Sequence, residues 1–261
     1  MRTGWRSALG PAIALLLVLG AWEAYCRIAG VPAYILPAPS RVLATVVTDW
    51  PVLGPALWVT LRIALGALAA AVLGGGLLAI LFAEARWAER TLYPYAVVIQ
   101  VTPVIAIAPL LVIYIQSTAV VLLVSAFVVA FFPVLSNTAQ GLKSVDPGLD
   151  DLFTLYRASR RQRLLRLKIP GALPYFAAGL RIAGGLSLIG AVVAEFAAGS
   201  AGAGAGLAFR MLEASRRLNA PRLFAALLLL VLAGVAFFLV TGLIARLMLA
   251  RWHESAVPRE R

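Results

Sequence analysis

Apolar runs long enough to cross a bilayer recur along this sequence and leave little else between them. About 20 helical residues span roughly 30 Å of hydrocarbon, and six such runs can be drawn, at 7–28, 55–83, 93–115, 117–136, 173–198 and 223–249. A backbone in lipid must satisfy its own hydrogen bonds, and none of the runs alternates like a barrel strand, so each is read as a helix. A soluble helical core would need polar faces on these helices. With 62% hydrophobic and 13% charged residues, the chain cannot supply them. The expected fold is all-α and integral to a membrane, with six transmembrane helices.

The third and fourth runs almost merge, and Gln116, Ser117 and Thr118 mark the turn between them. A net charge of +12 would suggest nucleic acid in a soluble chain. Here the basic residues gather in short segments between apolar runs, which points to membrane orientation and no nucleic-acid partner. With the N-terminus inside, sixteen Lys and Arg fall on the inner side and seven on the outer, so both termini are expected in the cytoplasm. Arg181 counts among the inner residues, Arg62 among the outer ones. The basic start at Arg2 and Arg6 resembles a signal peptide, but Trp22, Glu23 and Tyr25 stand where small residues would be needed for cleavage. The segment is read as a retained first span. One cysteine, Cys26, and one histidine, His253, exclude an intrachain disulfide and a Cys/His metal cluster.

Between the first two spans, Val42, Leu43, Val46, Val47 and Trp50 recur at helical spacing after Pro39. This predicts a short helix in the outer interface, with Ser40 as its cap. Span two carries Gly66, Ala67, Ala70, Gly74, Gly75 and Gly76, and span five carries Gly179, Ala183, Gly184, Gly185, Gly190 and Ala191. Small residues let helices approach closely where lipid removes the hydrophobic drive.

The long polar stretch at 138–172 is the most informative. Asp146 fits an N-cap and Pro147 the first helical position. Leu149, Leu152, Phe153 and Tyr156 then form an apolar stripe at i, i+3, i+4, i+7. Ser159 and Gln162 form a capping box that opens a second helix, which Pro170 is expected to end. An amphipathic helix outside the membrane needs a partner surface.

The stretch at 151–170, DLFTLYRASRRQRLLRLKIP, resembles the EAA loop of binding-protein-dependent ABC importer permeases. Asp151 stands at the family's acidic position, and Leu167, Ile169 and Pro170 match its ending. Phe153 replaces a usual small residue, and Arg157 stands where the family has Gly. The segments at 36–40 (LPAPS), 103–109 (PVIAIAP) and 190–196 (GAVVAEF) resemble the nitrate/sulfonate/taurine branch, with similar permeases in riboflavin and thiamine-precursor importers. The resemblance implies a type I permease fold and no covalent chemistry in this chain. ATP and Mg would belong to the partner, two copies of an ABC ATPase. A periplasmic binding protein, a second copy of the chain and membrane lipid complete the implied partners, in a bacterial inner membrane. It assigns ATPase coupling to Asp151, Leu152, Phe153, Leu155, Tyr156, Arg157, Ala158 and Ser159.

Glu195, near the outer end of span five, is a candidate gate or path residue, or else a hydrated interfacial one. Gln100, Thr102 and Pro103 interrupt span three and suggest a bent helix beside the path. The glycine-rich run at 199–206 lacks the context of a phosphate loop and reads as an outer turn. The domain division expected is 1–54 for the first span and interfacial helix, 55–250 for the permease domain with its coupling loop, and 251–261 for a cytoplasmic tail. The solute expected is a small anion (sulfonate, taurine, nitrate) or a heterocyclic vitamin precursor. An ion-coupled secondary transporter is the rival reading, but no inverted repeat or coupled intramembrane charges are visible.

Overall fold

The computed structural model describes residues 4–199, 202 and 204–250. The expected tail at 251–261, with His253, and the basic residue Arg2 lie outside them. Among the described residues every regular element is helical. Five helices are long and apolar enough to span a membrane, and six passages result if one sharply bent pair of shorter helices is taken as a single span. The spanning helices are α1 (Gly4–Ile28), α3 (Trp50–Glu84), α6 (Thr118–Lys143), α9 (Ile169–Ala198) and α11 (Ala220–Leu249). The shorter ones are α2 (Pro39–Thr48), α4 (Arg86–Val101), α5 (Val104–Tyr114), α7 (Pro147–Leu155), α8 (Arg160–Arg163) and α10 (Leu207–Arg216).

Helices α3, α6, α9 and α11 form the central bundle. Ile63, Ala64 and Ala67 meet Leu122 and Ala126, Leu188, Ala191 and Ala194, and Ala233 and Phe237 in one buried cluster. Alanine dominates this core, while Leu73, Leu77, Leu232 and Leu239 point outward. That inversion of a soluble protein follows from lipid being as apolar as leucine. The tightest crossing joins α6 and α9. A Cβ on Gly190 would lie 2.9 Å from Ala126 Cα, and one on Gly179 would lie 2.8 Å from the Pro133 carbonyl oxygen. Real Cβ atoms do not tolerate such distances, so both glycines are needed for the backbones to touch. Gly76 and Gly185, drawn from the same sequence stripes, face open space.

Two sequence expectations need correction, and a third is sharpened. The bend expected in the third span is there, but as a full break between two helices. α4 and α5 meet at 101° across Thr102–Pro103, because Pro103 has no N–H to continue α4 and instead starts α5. Ser40 does not cap α2. Ala38 occupies the cap position without a side-chain bond, and Glu23 of α1 receives the Ser40 N–H at 2.9 Å and its hydroxyl at 2.7 Å. A carboxylate at a helix N-terminus also meets the helix dipole, so α1 caps α2 from outside. Finally, Pro170 does not end the second loop helix. α8 passes through a five-residue π turn, Leu164–Lys168, directly into α9. The widened turn shifts the hydrogen-bond register just where Pro170 lacks a donor, so the helix continues.

The two ends of the bundle are thereby distinguished. At one end α2, α10 and the start of α11 gather, with Arg222 Nε 2.6 Å from Asp49 Oδ2. At the other, α7 and α8 sit beside the α3–α4 junction, where Lys168 pairs with Glu84 at 2.9 Å and Lys143 pairs with Glu89. Substituting Gly179→Ala or Gly190→Ala is expected to cost about 1–3 kcal/mol by overpacking, while Gly185→Ala should leave stability unchanged or raised. Thermal midpoints of the purified protein in detergent distinguish these. Equal loss in all three variants would show that the α6–α9 crossing does not depend on its glycines.

Candidate functional site

The loop between α6 and α9 is built by local rules. Asp146 Oδ1 accepts from the amides of Gly148 at 2.7 Å and Leu149 at 3.2 Å, starting α7. The Ser159 N–H donates to Gln162 Oε1 at 2.7 Å and the Gln162 N–H to Ser159 Oγ at 3.3 Å, completing the capping box that starts α8. Between the two helices Arg157 has φ +50°, the left-handed conformation that glycine adopts freely. The turn therefore keeps the backbone of a glycine-containing loop, at a cost of about 1–2 kcal/mol for the arginine Cβ.

The apolar stripe of α7 is uncovered. Tyr156 is 79% exposed, Leu149 and Leu152 are open and Phe153 is half-buried, while Leu155 beside the stripe is 81% exposed. Leu152, Phe153, Tyr156, Ala158, Gln162 and Arg166 line a small groove of about 250 Å³ between α7 and α8. Asp151 is exposed beside it, as is Ser159. The acid that organises the loop is its neighbour, Asp150. Arg163 donates to Asp150 Oδ1 at 3.0 Å and to Thr154 Oγ1 at 2.7 Å, clamping α7 onto α8. Lys168 then ties the π turn to the end of α3 through Glu84 and the Ala83 carbonyl. No local pattern marks these pairs, which join residues 13 and 84 positions apart.

Gln100, Thr102 and Pro103 lie together at the α4–α5 break, where Thr102 turns its hydroxyl back onto the Val98 carbonyl at 2.7 Å. Gln100 is exposed on the single subunit. None of the three is a hydrogen-bond partner of Glu195. Arg181 also stands out. It lies within α9, exposed, with its guanidinium 5.3 Å from the Phe238 ring centre. Counting charges per loop assigned it to a side and hid its position in a span.

Glu195 is not hydrated at a surface. It is 1% exposed, and its carboxylate accepts from Thr60 Oγ1 at 2.7 Å and the Ala208 N–H at 2.9 Å. Thr60 in turn accepts from the Leu207 N–H at 2.9 Å. Thr60 has one proton to give, and the contact to Glu195 is shorter than the 3.3 Å one to the Ala56 carbonyl. The pair thus satisfies the first amides of α10, which otherwise lack partners within the helix. Gly206 is required here, because a Cβ would overlap the Glu195 carboxylate itself. Positions 200, 201 and 203 of the glycine-rich run lie outside the described residues. Glu195→Gln cannot accept from both donors without turning an NH₂ toward one of them. It should raise hydrogen exchange of the 205–216 peptide by roughly 10- to 100-fold, the equivalent of about 1–3 kcal/mol for an unpaired buried donor. Thr60→Val should act in the same direction, and unchanged exchange in both would remove the capping role.

Along most of its length the chain is similar in sequence to known transport proteins. The profile of the binding-protein-dependent transport system inner membrane component matches residues 63–253. The riboflavin transport system permease protein of Chloroflexus aurantiacus is 34% identical, over 95% of this chain and 91% of its own length. The formylaminopyrimidine transport permease protein of Halalkalibacterium halodurans is 33% identical, over 95% and 97%. A putative aliphatic sulfonates transport permease protein of Bacillus subtilis is 26% identical, over 97% and 90%. A multi-span helical bundle with this loop, matched end to end by such relatives, belongs to the binding-protein-dependent transport system inner membrane components and is the permease subunit of an ABC importer.

Proposed function

We propose that α7 and the turn after it form the coupling element that docks on a separate ABC ATPase. In this reading two copies of the chain enclose the path, two ATPases hold ATP and Mg, and a periplasmic binding protein delivers solute at the α2–α10 end. Both termini then lie in the cytoplasm of a bacterial inner membrane. The observation that carries the coupling role is the uncovered face of α7, with Leu155 and Tyr156 near fully exposed, clamped through Arg163 and the π turn to a spanning helix. An apolar helix face held this rigidly outside the membrane is a surface made for a groove. Displacing it moves α9 without first unfolding a linker, which suits switching between discrete packings.

Asp151, Leu152, Phe153, Ala158 and Ser159 complete the docking surface around that anchor. In this reading Gln100, Thr102, Pro103 and the exposed Arg181 line the path. Glu195 acts on the path indirectly, by fixing α10 at its outer mouth. For the solute, the higher identity to the riboflavin and formylaminopyrimidine permeases favours a heterocyclic vitamin or its precursor over a sulfonate or nitrate. Uptake in reconstituted vesicles with the cognate binding protein, comparing riboflavin, an aminopyrimidine and an alkanesulfonate, decides this, and preferential sulfonate uptake would overturn it.

Leu155→Asp with Tyr156→Ala changes surface side chains only. The pair should weaken co-purification with the neighbouring ATPase by about 30-fold or more, as expected for loss of an interface anchor worth about 2 kcal/mol. Its thermal midpoint should stay unchanged. Assembly as tight as wild type would sink the coupling role. Arg157→Gly should assemble normally and be more stable by up to about 1 kcal/mol, because the backbone is already left-handed. Arg157→Val should lose both stability and assembly. A destabilised glycine variant would show that the arginine side chain, not the turn, is what the loop needs.

A further inference from the structure

Two adjoining clefts of about 600 and 580 Å³ open between the α3–α4 junction and the α7–α8 loop, sharing Ala83, Arg86, Asp150 and Lys168 in their walls. Six cations line them: Arg86, Arg90, Lys143, Arg160, Arg163 and Lys168. Only three carboxylates do, and each is engaged: Glu84 with Lys168, Glu89 with Lys143, Asp150 with Arg163. Arg86, Arg90 and Arg160 have no ion-pair partner among the described residues. Arg86 lines both clefts, Arg90 the first and Arg160 the second, so each presents two guanidinium groups without a counter-charge to an anion. Guanidinium presents paired N–H donors in a plane, which suits the oxygens of a phosphate.

We infer that the cleft lined by Arg86 and Arg90 holds the phosphate of an anionic phospholipid from the leaflet at the α7 end of the bundle. The walls favour a lipid over a soluble anion. Leu73, Leu77 and Leu81 recur at i, i+4, i+8 on α3, 65%, 68% and 41% exposed, and run along the helix toward Ala83 at the cleft's edge. They give acyl chains an apolar track along α3 toward the helix end that borders the cleft. Trp87, between Arg86 and Arg90 in the sequence and 69% exposed, is the residue type that settles at headgroup level. Basic pockets between spanning helices are suited to anionic headgroups. A phosphate bound here lies between the start of α4 and the wall that Asp150 of α7 and Lys168 of the π turn contribute. It steadies the loop beside the Asp150–Arg163 clamp, whose Asp150 lines the same cleft. Binding itself does not depend on the coupling role proposed for α7; only this steadying effect rests on it.

The test is lipid retention by the purified full chain in native mass spectrometry, after exchange into detergent with phosphatidylglycerol or cardiolipin, and separately with phosphatidylcholine. Arg86→Gln with Arg90→Gln is compared with Arg41→Gln with Arg216→Gln, which removes the same charge elsewhere. Wild type and the control pair should retain anionic lipid and not phosphatidylcholine. The Arg86/Arg90 pair should bind it about 30-fold more weakly, at about 1 kcal/mol per basic residue, with an unchanged thermal midpoint. Arg86→Lys with Arg90→Lys should recover part of the retention. Equal weakening by both Gln pairs, or no preference for anionic lipid, overturns the site. Displacement of lipid by inorganic phosphate, with phosphate binding as tightly alone, makes it a soluble-anion site and overturns the lipid assignment. Unchanged lipid retention with loss of ATPase co-purification in the Arg86/Arg90 variant makes the cleft a dock for an acidic protein segment, and overturns it too. Failure of the Leu155/Tyr156 variant to affect assembly would leave the lipid result standing.

Discussion

Everything else in this bundle hangs on the backbone contact between α6 and α9. In lipid, two helices gain little by hiding leucines from solvent, so they must gain by dispersion over a close and continuous surface. Gly179 and Gly190 sit on α9 where Pro133 and Ala126 of α6 approach within the reach of a single methyl group. The same pair of helices delimits the loop, since α6 ends at Lys143 and α9 begins at Ile169. A fixed crossing therefore fixes where the loop starts and where it returns. The buried cluster with Ile63, Ala64, Ala67 and Phe237 then adds α3 and α11 to a framework already set.

From this contact the two ends of the molecule become mechanically related. The helical path from Arg160 to Ala198 runs for 39 residues, about 58 Å at 1.5 Å per residue. At one end it carries the clamp between Asp150 and Arg163. At the other it carries Glu195, which holds the first turn of α10 together with Thr60 of α3. The π turn is the one irregularity in that path, and it lies at the junction of loop and span, where Lys168 ties it to Glu84. A rigid rod with a register shift at its base moves as a unit or not at all. Such an element has two arrangements more readily than a graded series.

What the sequence made legible was local. The Asp146 cap, the Ser159–Gln162 box and the turn near Ser117 all depend on neighbours within four residues, and all appear where patterning puts them. What it hid was either long-range or a competition between rules. Thr60 and Glu195 are 135 positions apart, and nothing around Thr60 marks it as the partner of a carboxylate. Ser40 reads as a cap because serine usually is one, but Glu23 offers a charged acceptor and wins. Pro103 and Pro170 look alike as helix breakers. One bends the chain through 101°, and the other is absorbed by a π turn. Proline's missing donor is local, while the means of accommodating it belongs to the surroundings.

Arg157 shows how far a family pattern can be departed from without losing its shape. The backbone there takes the left-handed turn, although the side chain is the wrong one for it. The turn is held from both sides, by the Ala158 N–H donating to the Phe153 carbonyl at 2.9 Å and the Arg157 N–H to the Thr154 carbonyl at 3.0 Å. It is further held by the clamp of Arg163 on Asp150 and Thr154. Two backbone bonds and two charge-assisted ones outweigh a steric cost of about 1–2 kcal/mol. The conformation is set by the ends of the two helices it joins. The residue at the corner only has to tolerate it, and its guanidinium is left free on the surface that α7 presents.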